Sequence, residues 1–265
     1  MTRADAAHTR AAARDWLLFL LLAGGFCWLV ALGAAGLGYN WQWYLVPRAL
    51  VSDGPAGLSA GPLLQGLAVT LKITLLATCG ALLCGLVAAL LRLSGSLAGR
   101  ALARCYMEAV RNTPLLIQLF FLYFVLAPAV GLDGMATAVL GLSLFEGAYV
   151  SEILRGGIVS IDHGQWDAAR SLGMGAVACY RLVILPQAVR RILPPLASQT
   201  VSLVKDSSLV SAIAIGELTL RGQQLVAETF LSFEIWFTVA VLYWIVTTGL
   251  SALAHGLERR LAYPS

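Results

Sequence analysis

The chain has 265 residues, of which 59% are hydrophobic and only 12% charged. Soluble proteins carry about twice that share of charge, so a water-soluble enzyme is all but excluded and a polytopic membrane protein is expected. The formal net charge of +4 does not signal nucleic-acid binding until its cations are placed along the chain.

Arg10 and Arg14 precede an apolar run that starts at Trp16. A cleavable signal peptide is one reading, but the run is longer than a usual signal core, so a retained first span is expected over residues 16–37. A Gly/Pro-rich external loop follows at 38–62, with Trp41, Trp43 and Tyr44, residues that favour the membrane–water boundary. Further spans are expected at 63–91, 115–130, 135–154, 192–215 and 235–254, since about 20 apolar residues cross a bilayer. The third and fourth are separated only by 131–134 and form a tight helical hairpin. Pro194 and Pro195 are expected to kink the entrance of the fifth. The expected fold class is therefore all-α, with six spans.

Lys and Arg set the orientation. Threaded alternately, the six spans place fourteen arginines in the loops on the side of the N-terminus, among them Arg3, Arg92, Arg111, Arg155, Arg191 and Arg260. The opposite side holds only Arg48 and Arg221, while Lys72 and Lys205 fall inside spans. The positive-inside rule then makes both termini and the polar stretch 165–186 cytoplasmic.

That stretch, QWDAARSLGMGAVACYRLVILP, has the pattern of two short helices. Asp162 can cap the first, with Gln165 three residues on in a capping-box arrangement. Trp166, Ala169 and Leu172 recur at helical spacing as an apolar stripe, flanked by Asp167, Arg170 and Ser171. Gly173 is placed to end the helix in a left-handed conformation. A second piece over about 176–184 is expected to stop at Leu185-Pro186, where proline removes a helix hydrogen bond. Such an element fits a groove on a partner protein. A basic amphipathic helix lying on lipid headgroups has the same pattern, and the spacing alone does not choose between the two.

Asp167-Ala168-Ala169, Gly173 and Val183-Ile184-Leu185-Pro186 resemble the EAA loop of the membrane subunits of type I ABC importers. Asp167 and Val183 stand where that loop usually has Glu and Ile. The resemblance extends over about 63–261. It includes Gly66-x3-Thr70, Arg111-Asn112-Thr113-Pro114-Leu115-Leu116, the run from Ala148 to Ile158, Lys205-Asp206-Ser207-Ser208-Leu209 and Glu258-Arg259-Arg260-Leu261. Together these are similar to the polar amino-acid uptake branch. The resemblance implies a five-helix permease core at 63–261 with a coupling loop at about 162–186. Residues 1–62 would hold the cytoplasmic N-terminus, an extra transmembrane helix and an external loop. It further implies a bacterial inner-membrane location and two cytoplasmic ABC ATPase subunits that carry ATP and Mg. A second permease subunit, self or sister chain, and an external amino-acid-binding protein complete the assembly. Asp167, Ala168 and Ala169 would sit in the ATPase groove beside Arg170, with Gly173 as a fixed corner and Leu185-Pro186 closing the loop.

Lys72, Glu146, Lys205 and Asp206 lie within expected spans, where a charge costs about 2.5–3.5 kcal/mol even on mild insertion scales and needs a partner or a wet cavity. One reading is a pocket for a zwitterion, with Lys205 or Lys72 toward the carboxylate, Glu146 or Asp206 toward the ammonium, and Ser207 adding polarity. The other is an interhelical ion pair, such as Glu146 with Lys205, that only fixes packing; Lys72 can also snorkel outward. Glu108 with Arg111 and Glu152 with Arg155 have i,i+3 spacing for surface pairs. The five cysteines and His8, His163 and His255 show no metal-ligand spacing. No Walker-type run or catalytic Ser/His/Asp or Cys/His grouping stands out, so no cofactor on this chain and no catalytic residue are expected. The rival function is an ion-gradient-driven secondary transporter or channel, which leaves the 167–186 pattern unexplained.

Overall fold

The computed structural model describes residues 3–36, 38–54 and 57–261. The side chains of Arg3, Arg10, Arg259 and Arg260, which enter the charge balance above, lie outside the described ones. Two units are distinguished, Met1–Trp43 and Tyr44–Ser265. The first contains one long helix, α1 (Arg3–Gly36), whose stretch Arg14–Gly33 is long and apolar enough to cross a bilayer.

The second unit begins with a short helix, α2 (Val46–Leu50), and a two-stranded antiparallel hairpin, β1 (Val51–Gly54) and β2 (Gly57–Ala60), in which Ser52 faces Ser59. The loop expected at 38–62 is thus partly folded. Gly61 closes it: its N–H donates to the Leu50 carbonyl, and an added Cβ would stand 2.6 Å from the Ala49 oxygen.

Next come α3 (Pro62–Leu93), α4 (Leu97–Arg111), α5 (Leu115–Phe121), α6 (Ala127–Val130) and α7 (Gly134–Val159). The α3 and α7 helices run side by side and parallel. Their register is read from Ser143 bonding the Ala77 carbonyl, Gly85 against Val150, and Arg92 on Glu152. Small residues permit this approach, as they do at membrane helix interfaces: a Cβ on Gly147 would lie 2.8 Å from that of Cys84. Ile73, Leu119, Leu142 and Leu203 form the buried centre.

The expected hairpin between the third and fourth spans is present, turned by Gly131 in a left-handed conformation. Ahead of it lies α4, which the hydropathy reading missed because one of its faces is basic; it meets the α5–α6 segment at 106°.

After α7 come α8 (His163–Ser171), α9 (Ala176–Cys179), α10 (Leu185–Asp206), a 3-10 segment at Ser207–Ile213, α11 (Leu218–Thr229) and α12 (Ser232–Leu261). The Glu146–Gln199 and Ser160–Arg191 contacts show α10 antiparallel to α7. Two helical runs cross a proline without stopping. π turns at Leu122–Leu126 and Tyr180–Ile184 precede Pro128 and Pro186 by two residues. In each, an N–H reaches five residues back, Ala127 to Leu122 and Leu185 to Tyr180. The wider turn shifts the hydrogen-bond register, so the missing proline N–H interrupts the run less. The expected stop at Pro186 is therefore not seen. Pro194 and Pro195 likewise lie inside α10, not at its entrance.

Among the described residues, four helical stretches, Arg14–Gly33, Pro62–Leu93, Gly134–Val159 and Ser232–Gly256, are long and apolar enough to span, and the bent α4–α6 segment, taken as one span, makes five. The segment expected as the fifth span is not among them. Its helix starts earlier, at Leu185, carries polar residues on one face and ends at Asp206.

At the end of the bundle where α3 begins, Leu63, Leu218, Leu231 and Ile235 form a second cluster. There Glu217 caps α11, accepting from the Thr219 and Leu220 N–H groups and from the Tyr243 hydroxyl at 2.8 Å each. Thr70 accepts from the Leu218 N–H at 3.1 Å. The Gly66-x3-Thr70 pattern has its physical reason here, because a Cβ on Gly66 would fall 2.9 Å from the Leu218 Cα.

Candidate functional site

The polar element after α7 is built as a cornered bracket. Asp162 caps α8 by accepting from the Gly164 N–H at 2.7 Å. Gln165 does not complete a capping box; its side-chain oxygen accepts from Gln187 of α10 at 3.1 Å. The helix ends as the residue pattern requires. Gly173 has φ +74°, its N–H donates to the Arg170 carbonyl at 2.9 Å, and the Met174 N–H donates to Ala169 at 3.1 Å. This is the paired closure of a Schellman motif.

The expected apolar stripe divides. Ala169 is 2% exposed and packs with Ile161, Cys179, Ile184 and Ala188. Trp166 meets Tyr180 edge-on at 5.0 Å. Leu172, by contrast, is 77% exposed. Ala169 thus belongs to the bracket's own core and is not free to enter a partner's groove. Asp167, Ala168 and Arg170 do face outward, with Asp167 and Arg170 3.9 Å apart. Val177 and Leu182 add exposed apolar surface after the corner. Leu185 is exposed, and Pro186 lies in the first turn of α10.

Two ties fix the bracket to the bundle. Arg191 donates to the carbonyl and, at 3.1 Å, to the hydroxyl of Ser160. A Cβ on Gly157 would collide with Ile192. The segment joining α7 to α8 and the start of α10 are therefore locked together.

The charges expected to line a pathway are not all brought together. Glu146 is 1% exposed. One carboxylate oxygen accepts from the Gln199 amide at 2.5 Å, and the other has no hydrogen-bond partner. Asp206 stands beside it. Glu146 borders a cavity of about 230 Å³ between α3, α7 and α10, with mostly apolar walls and the unpartnered Thr78 hydroxyl. Lys205 and Lys72 are exposed and do not line it. Ser207 is buried at the start of the 3-10 segment and donates to the Val204 carbonyl in the last turn of α10 at 2.7 Å. No Glu146–Lys205 ion pair forms. Residues 199 and 206 are seven apart and share a face of the helix, whereas residue 205 points about 100° away from 206. Gln199 was missed by sequence reasoning; its heptad spacing from Asp206 was the available signal.

Nearer the ends of α3 and α7, Glu152 bonds Arg92 at 2.6 Å and Arg155 at 2.5 Å, the expected i,i+3 pair. Arg111 also turns to Glu152, at 4.0 Å, and over the Tyr149 ring, so it does not pair with Glu108. Glu108 accepts instead from Asn112 at 2.9 Å. Among the described residues no group of three or more His, Cys, Asp or Glu side chains is placed to hold a metal.

Residues 81–263 match the family model described as the binding-protein-dependent transport system inner membrane component. The chain is 40% identical over 202 residues to the glutamine transport system permease protein GlnP of Escherichia coli K12, covering 75% of this chain and 92% of that one. It is also 40% identical over 204 residues to the L-cystine transport system permease protein TcyB of Bacillus subtilis 168, covering 76% and 87%. A crystal structure of an amino acid ABC transporter with histidines superposes with a TM-score of 0.71 at 37% identity, over 75% of this chain and 94% of that one. The MetNI methionine ABC transporter, at 21% identity and a TM-score of 0.63 over 76% and 96%, shares the fold. Family model, sequence and fold agree, and the chain belongs to the family of inner membrane components of binding-protein-dependent transport systems.

Proposed function

We propose that this chain is the membrane-spanning permease subunit of an ATP-driven importer for a polar amino acid, delivered outside by a binding protein. The relatives named for glutamine and cystine transport support the substrate class. The observation that carries the coupling role is the bracket at 162–186, whose outward face is open while its inner face is locked to α7 and α10. ATP and Mg belong to two cytoplasmic ATPase subunits, each receiving one bracket. A second permease subunit, identical or a sister chain, completes the pathway. The chain crosses a bacterial inner membrane six times, with both termini and the bracket cytoplasmic. The spans are α1, α3, the bent α4–α6 segment, α7, α10 with its 3-10 extension, and α12. In this reading α10 is less apolar than its neighbours because it faces a pathway.

Mechanically, a pull on α8 passes through the Gly173 corner into α10 and through Arg191 into α7, so ATPase closure moves the helices as rigid bodies. The cavity beside Glu146 receives the substrate, whose ammonium satisfies the unpartnered carboxylate oxygen. Asp167, Ala168 and Arg170 contact the ATPase. Gly173 tests this, because a left-handed corner costs an ordinary L-residue about 1–2 kcal/mol, while Asn tolerates it. In liposomes holding the permease, its ATPase partners and the binding protein, Gly173→Arg should insert normally and lose roughly tenfold or more of its ATP-driven uptake. Gly173→Asn should keep most of it. Wild-type uptake by the arginine variant would remove the coupling role.

A further inference from the structure

A second polar site lies near the ends of α3, α4 and α7, apart from both the cavity and the bracket. Arg100, Arg104, Glu108 and Arg111 follow one another at intervals of four, four and three along α4, and so share a helix face. With Arg92, Glu152 and Arg155 they enclose a polar concavity of about 310 Å³. Five arginines against two glutamates leave three positive charges uncompensated.

The hydrogen bonding shows where compensation is missing. Glu152 is saturated by Arg92 and Arg155, and Glu108 is held by Asn112. Arg100 donates one nitrogen to the Ser94 carbonyl. Arg104 forms no hydrogen bond or ion pair with another described residue. The Arg155 Nε is buried without a partner. A group of cations held this closely, with donors to spare, lacks an anion. Guanidinium forks match the oxygens of a phosphate group in geometry as well as charge.

We propose that this concavity binds a phosphate-bearing anion. The surface beyond α4 indicates its source. Leu83, Val87, Leu91, Leu102 and Leu144 line an apolar cavity of about 380 Å³ between α3 and α4. Ala103 borders this cavity and Met107 the basic one, so the two lie on neighbouring faces of one helix. A charged niche beside an apolar groove fits an acidic phospholipid, headgroup in one and acyl chain along the other, as basic sites between membrane helices do. The inference requires that the chain sit in a bilayer. It does not depend on the cargo or on the coupling role.

The test is native mass spectrometry of the delipidated full chain, titrated separately with phosphatidylglycerol, phosphatidylcholine and inorganic phosphate. Arg104→Gln, Arg100→Gln/Arg104→Gln and the distant control Arg48→Gln are compared with wild type. One saturable phosphatidylglycerol per chain is expected, with phosphatidylcholine held at least tenfold more weakly. The double variant should lose the preference and Arg48→Gln should keep it. Single-site retention of inorganic phosphate, lost in the double variant, would support the anion site and assign it to a soluble ligand. Equal retention of the two lipids without phosphate binding, or retention unchanged in the double variant, would overturn the proposal. Arg104 is exposed and unpaired, so its single variant should fold as wild type, and a matching thermal transition checks this.

Discussion

Two glutamates six residues apart on α7 show how one side chain serves different ends within the same helix. Glu146 is sunk in the bundle with one amide partner and one empty oxygen, beside an apolar-walled cavity. Glu152, about 9 Å further along the axis, is partly exposed and bound by two arginines, with a third nearby. A carboxylate surrounded by guanidinium groups has nothing left to offer a ligand; it holds α3 to α7. A buried carboxylate left half-satisfied is costly to fold, and a ligand that visits it recovers part of that cost. The contrast separates a saturated clamp between α3 and α7 from a buried carboxylate with one oxygen left unbonded, which the proposed function assigns to the substrate.

The comparison is broken most sharply at Glu146. Glu146→Gln keeps the shape and removes the charge. Losing a hydrogen bond to a charged group, worth about 1.5–3 kcal/mol, should lower uptake per unit substrate by roughly 10- to 100-fold with normal membrane insertion. Unchanged affinity and rate in the reconstituted transporter would return Glu146 to a packing role. Glu152→Gln should act in the opposite sense, costing about 1–2 kcal/mol of stability by leaving arginines unmatched while substrate specificity stays as it was. Thermal unfolding in detergent measures the first part and competition between substrates the second. A smaller effect is expected of Arg191→Ala, which frees α10 from Ser160 at about 1 kcal/mol. Uptake should fall by roughly two- to threefold while ATP hydrolysis continues, a ratio that measures how much of the coupling passes through this tie. Asp167→Glu should be nearly neutral, because charge and exposure are retained; a large loss would mean that the groove on the ATPase reads side-chain length.

The bracket was the part of the candidate site most legible in the sequence. Its cap at Asp162 and its corner at Gly173 are local: a helix end must satisfy its own N–H and C=O groups within a few residues, and the residue types that do so are few. What the sequence left open there was direction. Ala169 and Leu172 occupy equivalent positions in the apolar pattern, yet one is buried and the other exposed, because Cys179 and Ile184 fold back over only one of them. The stop expected at Pro186 failed for a related reason. A proline forbids one hydrogen bond, not a helix, and a π turn five residues long carries the backbone past it.

Length, low charge and the spacing of apolar runs by themselves determined that the chain lives in a bilayer and is helical, since backbone groups in lipid must be paired within their own segment. The residue pattern at 162–186 located a polar, cornered element between the apolar runs. The partners of the charges were decided only by the tertiary structure. Charge alone made Lys205 and Glu146 candidate partners; heptad spacing puts Gln199 on the face of Asp206, but that this face meets Glu146 while Lys205 stays exposed is decided by how α7 and α10 pack. Pairing across helices depends on which faces meet and at what register, and between α7 and α10 that register is held by Gly157 packed against Ile192, about three turns along α7 from Glu146.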